Sequence, residues 1–159
     1  MPQRYHLTDS QQLPISPEKL MAFFSIPENL SRITPEAMHF RVMHTTTRPI
    51  EEDTVLTYRV RKFGVPMQWK SWIQEWVPGS HFVDVQQDGP FRFWRHKHIL
   101  KPIPGGTEVI DELEYEVPFG PLGKLAHKWL LRKDIINSFN YRKQQMEAIF
   151  GVYTPPQAD

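Results

Sequence analysis

The sequence contains no cysteine, which excludes a disulfide framework, thiolate metal ligation and a cysteine nucleophile. It has almost no charge excess: 19 Lys and Arg stand against 18 Asp and Glu, so bulk electrostatics does not call for a nucleic acid. No apolar run approaches the roughly 18 residues of a membrane span. The opening Met-Pro-Gln-Arg-Tyr-His lacks the apolar core of a secretion signal. A cytoplasmic protein without integral membrane association is therefore expected. Glycine is sparse, with eight residues, and the pair Gly105-Gly106 falls between extended segments. No G-x-G-x-x-G or Walker pattern exists, and no G-x-S-x-G, so neither a nucleotide cradle nor a nucleophile elbow is encoded. At this length the expectation is one domain over residues 1–151, followed by a flexible tail over 152–159.

Against these absences stand 15 prolines and ten Phe, five Trp and five Tyr. Proline lacks an N–H and fixes φ, so it marks strand ends and helix starts. Ser16-Pro17-Glu18 reads as an N-cap followed by proline at the first helical position, opening a short helix to about Phe24. A second helical turn follows Pro27 and stops before Thr34-Pro35. Between 37 and 117, breakers separate six extended segments at 37–47, 53–63, 67–77, 81–87, 91–100 and 106–117. Connections this short predict an antiparallel meander, with a further short strand at 3–9. After Pro118-Phe119-Gly120-Pro121-Leu122-Gly123, about 27 residues run to Phe150 without Pro or Gly. Leu122, Leu125, Trp129, Ile136, Phe139, Met146 and Phe150 recur at helical spacing, and Gly151 fits the helix end.

Alternation along each strand divides its residues between two faces. In 106–117 the glutamates share one face, and Thr107, Val109, Asp111, Leu113, Tyr115 and Val117 the other. Hairpin registers extend this inner face. They place Val60 beside Trp69, Tyr58 beside Ser71, Ile73 beside Asp84 and Glu75 beside Phe82. Further along, Asp84 meets Trp94, Phe82 meets His96, and His98 meets Asp111. The inner face then carries Tyr58, Trp69, Ile73, Trp94, Leu113 and Tyr115 together with Glu75, Asp84, Gln86, Arg92, His96, His98 and Asp111. Unpaired polar groups in a dry core cost about 1–3 kcal/mol each. A concave sheet around one long helix, enclosing a partly polar cavity, accounts for both sets; mutual pairing of the polar groups is the alternative. On the outer face Trp72, Val85 and Phe93 form a lateral row with Trp76 nearby, a candidate surface for a homodimer or another protein.

The element order and the stretches Trp69-Lys-Ser71-Trp-Ile73, Phe82-Val-Asp84-Val-Gln86, Gly89-Pro90-Phe91 and Trp94-Arg-His96-Lys-His98 resemble the SRPBCC superfamily, the START-like and birch-pollen-allergen-like helix-grip proteins. Gly106-Thr107, Asp111, Tyr115 and Pro118-Phe119-Gly120-Pro121-Leu122-Gly123 add to the likeness, which is nearest to the bacterial cyclase/dehydrase-like branch. The resemblance implies an α+β helix-grip fold. In it a curved antiparallel sheet wraps a long C-terminal helix, two short helices follow the first strand, and a hydrophobic ligand cavity lies between sheet and helix. It names no reaction and implies no cofactor.

The sharpest local chemistry is His96-Lys97-His98, two imidazoles on one strand face with Asp111 opposite His98. A His–carboxylate pair serves proton transfer and equally serves to satisfy buried polar groups. His96 and His98 with Glu75 or Asp111 also fit metal ligation; the resemblance favours a site without metal. The C-terminal helix is basic, with Lys124, Lys128, Arg132, Lys133, Arg142 and Lys143 against Asp134 and Glu147. That pattern reads as a solvated face, with anionic lipid headgroups as the alternative partner.

The first expectation is a binding module for a small hydrophobic molecule of lipid, polyketide or aromatic type. Trp69, Ile73, Trp94, Leu113, Tyr115, Trp129 and Phe139 would form apolar walls beside Tyr58. Asp84, His96, His98 and Asp111 would orient a polar group. The second is a cyclase or dehydratase using His96, His98 and Asp111 as acid and base. The third, resting on relatives alone, is an interaction module akin to cell-division inhibitor-like proteins.

Overall fold

Ser16 opens the first helix: its side-chain oxygen accepts the Lys19 N–H at 3.3 Å, and Pro17 occupies the first turn, where a missing N–H costs nothing. The computed structural model describes residues 2–158. The chain runs β1 (Arg4–Leu13), α1 (Pro17–Phe24), α2 (Asn29–Arg32) and a 3-10 turn (Glu36–Met38). The meander follows as β2 (Arg41–Thr45), β3 (Val55–Lys62), β4 (Val65–Val77), β5 (His81–Asp88), β6 (Phe93–Ile103) and β7 (Gly106–Glu116). Then come α3 (Gly120–Ala126), a wide π-turn (His127–Leu131) and α4 (Arg132–Phe150). One antiparallel sheet has the order β1-β7-β6-β5-β4-β3-β2, so the first strand pairs with the last. This is the expected helix-grip architecture.

The β6–β7 register is the expected one, with Trp94 opposite Tyr115, His96 opposite Leu113 and His98 opposite Asp111. Two other hairpins differ by two residues. Phe63 and Gly64, both at positive φ, make a two-residue turn that pairs Lys62 with Val65, Tyr58 with Trp69 and Leu56 with Ser71. Between β5 and β6 the loop is longer. The Gln86 amide donates to the Phe91 carbonyl at 2.7 Å and accepts the Phe91 N–H at 3.2 Å, so Asp84 meets His96 and Phe82 meets His98. A shift of two residues changes neighbours but not faces.

A bulge does change a face. The β4–β5 register slips between Ile73 and Glu75, so Phe82 pairs with Trp76 and not with Glu75. Trp76 turns inward, and Glu75 leaves the inner face to meet His81 at 3.1 Å. The outer row is corrected too: Val85 pairs with Arg95, not Phe93, and Arg4 stacks its guanidinium 4.0 Å over the Phe93 ring. Trp72 does lie beside Val85, its indole N–H bonded to Asp53 at 3.1 Å.

The long C-terminal helix is not one regular stripe. Its buried positions are Gly123, His127, Ile135, Phe139 and Met146, whereas Leu122, Leu125 and Trp129 are exposed. Spacing by four residues drifts about 40° per step around a regular α-helix. The wide turn at 127–131 takes up that drift, and a regular 3.6 period projected through it assigns the first half to the wrong side.

Contacts at the far end of α4 decide where the open space lies. Gln11 donates to the Lys143 carbonyl at 2.7 Å, Lys143 reaches Asp9 at 3.1 Å, and Arg142 clamps Asp111. The far half of the helix thus lies along β1 and β7, while its start reaches β3 through Lys62 and Asp134, and open space is left over the inner faces of β3 to β5. Beyond α4, residues 152–158 have no regular structure. Within it, the Tyr153 hydroxyl donates to the Pro104 carbonyl at 2.6 Å.

Candidate functional site

The uncovered half of the sheet forms the floor of a cavity of about 230 Å³. Leu56, Tyr58, Trp69, Ser71 and Ile73 rise from β3 and β4, and Asp84, Trp94, His96 and His98 from β5 and β6. Ile135, Phe139 and Arg142 of α4 form one side. Phe24, Leu30 and Ile33 of the short-helix region, with Met38 and Phe40, close another. The volume lies a little below the roughly 300–1,000 Å³ typical of drug-sized ligands, which suits a compact molecule.

Eight sequence-derived candidates meet around this space: Tyr58, Trp69, Ile73, Asp84, Trp94, His96, His98 and Phe139. Three do not. Leu113 and Tyr115, 1% and 2% exposed, are sealed beneath α4 with Phe91 and Ile135. Trp129 is 67% exposed, turned outward by the wide turn, and is not a cavity wall. Asp111 stands behind the wall, bonded to residues that face the cavity.

The polar end is a closed network. His98 Nε2 lies 2.7 Å from Asp84 Oδ2, and His96 Nε2 lies 2.9 Å from Asp111 Oδ1. A carboxylate only accepts, so each imidazole nitrogen carries the proton. Arg142 donates to both Asp111 oxygens at 2.7 Å. The two imidazoles stack at 3.8 Å, and Phe82 stacks on the outer face of His98 at 4.1 Å. His98 Nδ1 is 3.1 Å from Asp111 Oδ1 without hydrogen-bond alignment.

Charges follow from these partners. Burial alone would raise the Asp111 carboxyl, but Arg142 and the two histidines hold it well below the usual range. Burial likewise opposes ionisation of Asp84, and the His98 hydrogen bond and charge lower it nonetheless. For His98, desolvation is outweighed by Asp111 and Asp84, and proton affinity rises. For His96, desolvation and the neighbouring His98 charge win, and proton affinity falls. Asp84 and Asp111 are thus held as carboxylates beside Arg142, and His98 binds its proton more tightly than His96 does.

Asp84, His96 and His98 each offer a donor atom, all within 4.8 Å of one another. A cation there would have to displace the proton between His98 and Asp84, beside the positive Arg142. The donor set is already neutralised internally and fits a proton better than a metal.

Two further polar features face this region. Trp69 lines the cavity, and its indole N–H is buried with no hydrogen-bond partner in the protein. Burial and the Asp84 charge push the Tyr58 phenol well above its usual value, keeping its proton in place. Sequence reasoning missed Arg142, assigning it to the solvated basic face. Its spacing of seven from Ile135 and three from Phe139 was the available signal. Trp76 was missed because a bulge has no sequence signature here, and Met38 and Phe40 because they reach the cavity from a loop and a strand end.

Residues 13–137 match the family described as polyketide cyclase/dehydrase and lipid transport. No curated protein matches the chain. Among solved structures, TTHA0849 from Thermus thermophilus is 17% identical, with a TM-score of 0.67, covering 91% of this chain and 99% of its own. Major latex-like protein 151 from Panax ginseng is 12% identical, with a TM-score of 0.66, covering 92% and 97%. A Thalictrum flavum norcoclaurine synthase point mutant, solved with a transition-state analogue, is 10% identical at a TM-score of 0.67, covering 94% and 98%. At these identities the likeness is one of fold.

Proposed function

Because this chain belongs to the polyketide cyclase/dehydrase and lipid transport family of the SRPBCC superfamily, we propose that its cavity holds one compact, mainly apolar molecule whose polar end meets the His96–His98–Asp84 cluster. The observation that carries this reading is the asymmetry of the cavity. Its walls are mainly aromatic and aliphatic, and its charged groups, apart from Lys62, which is paired with Asp134, converge at one place on β5, β6 and α4. Apolar enclosure supplies affinity, and a few convergent polar groups supply orientation.

Native mass spectrometry of the untagged protein tests this together with titration of 1-anilinonaphthalene-8-sulfonate. A co-purified adduct, or saturable one-to-one dye binding, is expected, and Ile73→Trp should abolish it. Absence of both in the wild-type protein would overturn the proposal.

One observation favours chemistry as a second reading. His98 retains a proton between two carboxylates at the cavity wall, as an acid for a dehydration or enolisation step would. A His98→Gln variant that binds ligand normally but loses turnover of that ligand separates the enzyme from the carrier. No turnover by the wild-type protein would leave the carrier alone, and equal turnover in both proteins would remove His98 from the chemistry.

A further inference from the structure

The outward face of α3 and the wide turn after it is the apolar one. Small or polar groups pack inward: Gly123 lies so close to the Pro118 carbonyl that an added Cβ would fall 1.7 Å from its oxygen, and His127 Nε2 is hydrogen-bonded to the Tyr115 hydroxyl at 2.6 Å. Outward stand Phe119 (81% exposed), Leu122 (75%), Leu125, Trp129 (67%) and Leu130. An ordinary surface helix buries its large apolar residues and exposes its polar ones; here the order is reversed. None of these five side chains belongs to a core cluster among the described residues.

We propose that this face docks on an anionic lipid bilayer. Residues 118–133 contain Lys124, Lys128, Arg132 and Lys133 and no acidic residue, and all four cations are exposed around the apolar face. Lys128 sits with its ammonium 5.6 Å from the Trp129 ring centre. Aromatic and leucine side chains on one face, rimmed by lysines, suit the boundary between headgroups and acyl chains. Anionic headgroups neutralise the rim while the apolar face leaves water. A second copy suits it less, because a two-fold contact would press the same cations against each other with no acid to answer them. Lys62, which borders the cavity, bonds Asp134 at the start of α4. The adjoining turn carries exposed Phe63 (62%) and Val65 (57%) at that same end. Docking would therefore bring one rim of the cavity to the lipid, although the surface stands whether or not the cavity holds a ligand.

The test is flotation of the full chain with phosphatidylcholine vesicles, with and without phosphatidylglycerol, at low and high salt. Association with the anionic vesicles alone, released by salt, is expected. Leu122→Ser with Trp129→Ser should abolish it at an unchanged melting temperature, since neither side chain is packed. Replacing Lys124 and Lys128 by Gln should weaken it by roughly fivefold per lysine. Brominated lipid should quench the wild-type tryptophan fluorescence, a readout that needs no variant. The proposal is overturned by failure to float with anionic vesicles at low salt, by variants that float as the wild type does, or by absence of quenching. A dimer seen by light scattering that dissociates in the Leu122/Trp129 variant would also overturn it, assigning the face to a second copy.

Discussion

His98 and Asp84 are joined at 2.7 Å across β5 and β6, although neither is the other's register partner; His98 stands opposite Phe82, and Asp84 opposite His96. The contact is diagonal. It frees the space directly across from His98 for the Phe82 ring, which stacks on the imidazole and shields its charge from one side. The polar cluster is thus built from diagonals and from one helix residue, on a register that by itself pairs its members differently.

The two stacked imidazoles should titrate in opposite directions from their common ordinary value of 6.5. In NMR spectra across pH, His98 should hold its proton above that value and His96 should lose its own below it. Both resonances titrating together near 6.5 would contradict the charge assignment.

Stability should therefore fall on both sides of neutrality. His98 has a raised folded value, so its contribution is complete below 6.5 and is lost as pH rises through the folded value. His96 has a lowered value, and its contribution is present above 6.5 and lost as pH falls through the folded value. Asp84 and Asp111 are lowered as well, and their contributions, present above 3.8, disappear in more acidic solution. Urea midpoints measured across pH should peak near neutrality, and His98→Gln should flatten the alkaline limb.

Asp111→Ala should cost about 3–5 kcal/mol, because it leaves the Arg142 charge without its carboxylate in a buried site and removes the hydrogen-bond partner of His96, while His98 keeps Asp84. Arg142→Met should cost less, since His96 and His98 still stabilise the Asp111 carboxylate. Equilibrium denaturation of the two singles and the double gives the coupling. Strictly additive losses would show that Arg142 and Asp111 do not act as a pair.

Gly106→Ala should destabilise by on the order of 3 kcal/mol. A Cβ at that position would fall 2.0 Å from the Leu13 carbonyl oxygen, so backbone at the joined ends of β1 and β7 must separate. Gly64→Ala offers the comparison: its Cβ would meet nothing within 4 Å, and only its positive φ opposes the change. Thermal melts in which the two variants lose equally would contradict the steric account.

The fold was legible in the sequence because its signals are local. Pro17 after Ser16, the breakers between extended segments and the alternation in β7 each act over a few residues. Period-2 faces also survive a register error of two, so Trp69, Ile73, Trp94, His96 and His98 were placed on the inner side even where their neighbours were not. The site was only half legible, for a physical reason. Trp76 faces inward by a bulge, Trp129 faces outward by a wide helical turn, and each device shifts phase by one residue without a mark in composition.

The absence of cysteine, the balanced charge and the proline punctuation determined by themselves what chemistry was unavailable and where the strands had to end. Tertiary structure alone decided which half of the sheet α4 would cover. Bonds from Gln11, Asp9 and Asp111 draw the helix onto β1 and β7. That long-range choice seals Leu113 and Tyr115, opens the cavity over β3 to β5, and brings Arg142 to the histidines. Contacts between residues more than 100 positions apart, as between Gln11 and Lys143, leave no trace in local spacing.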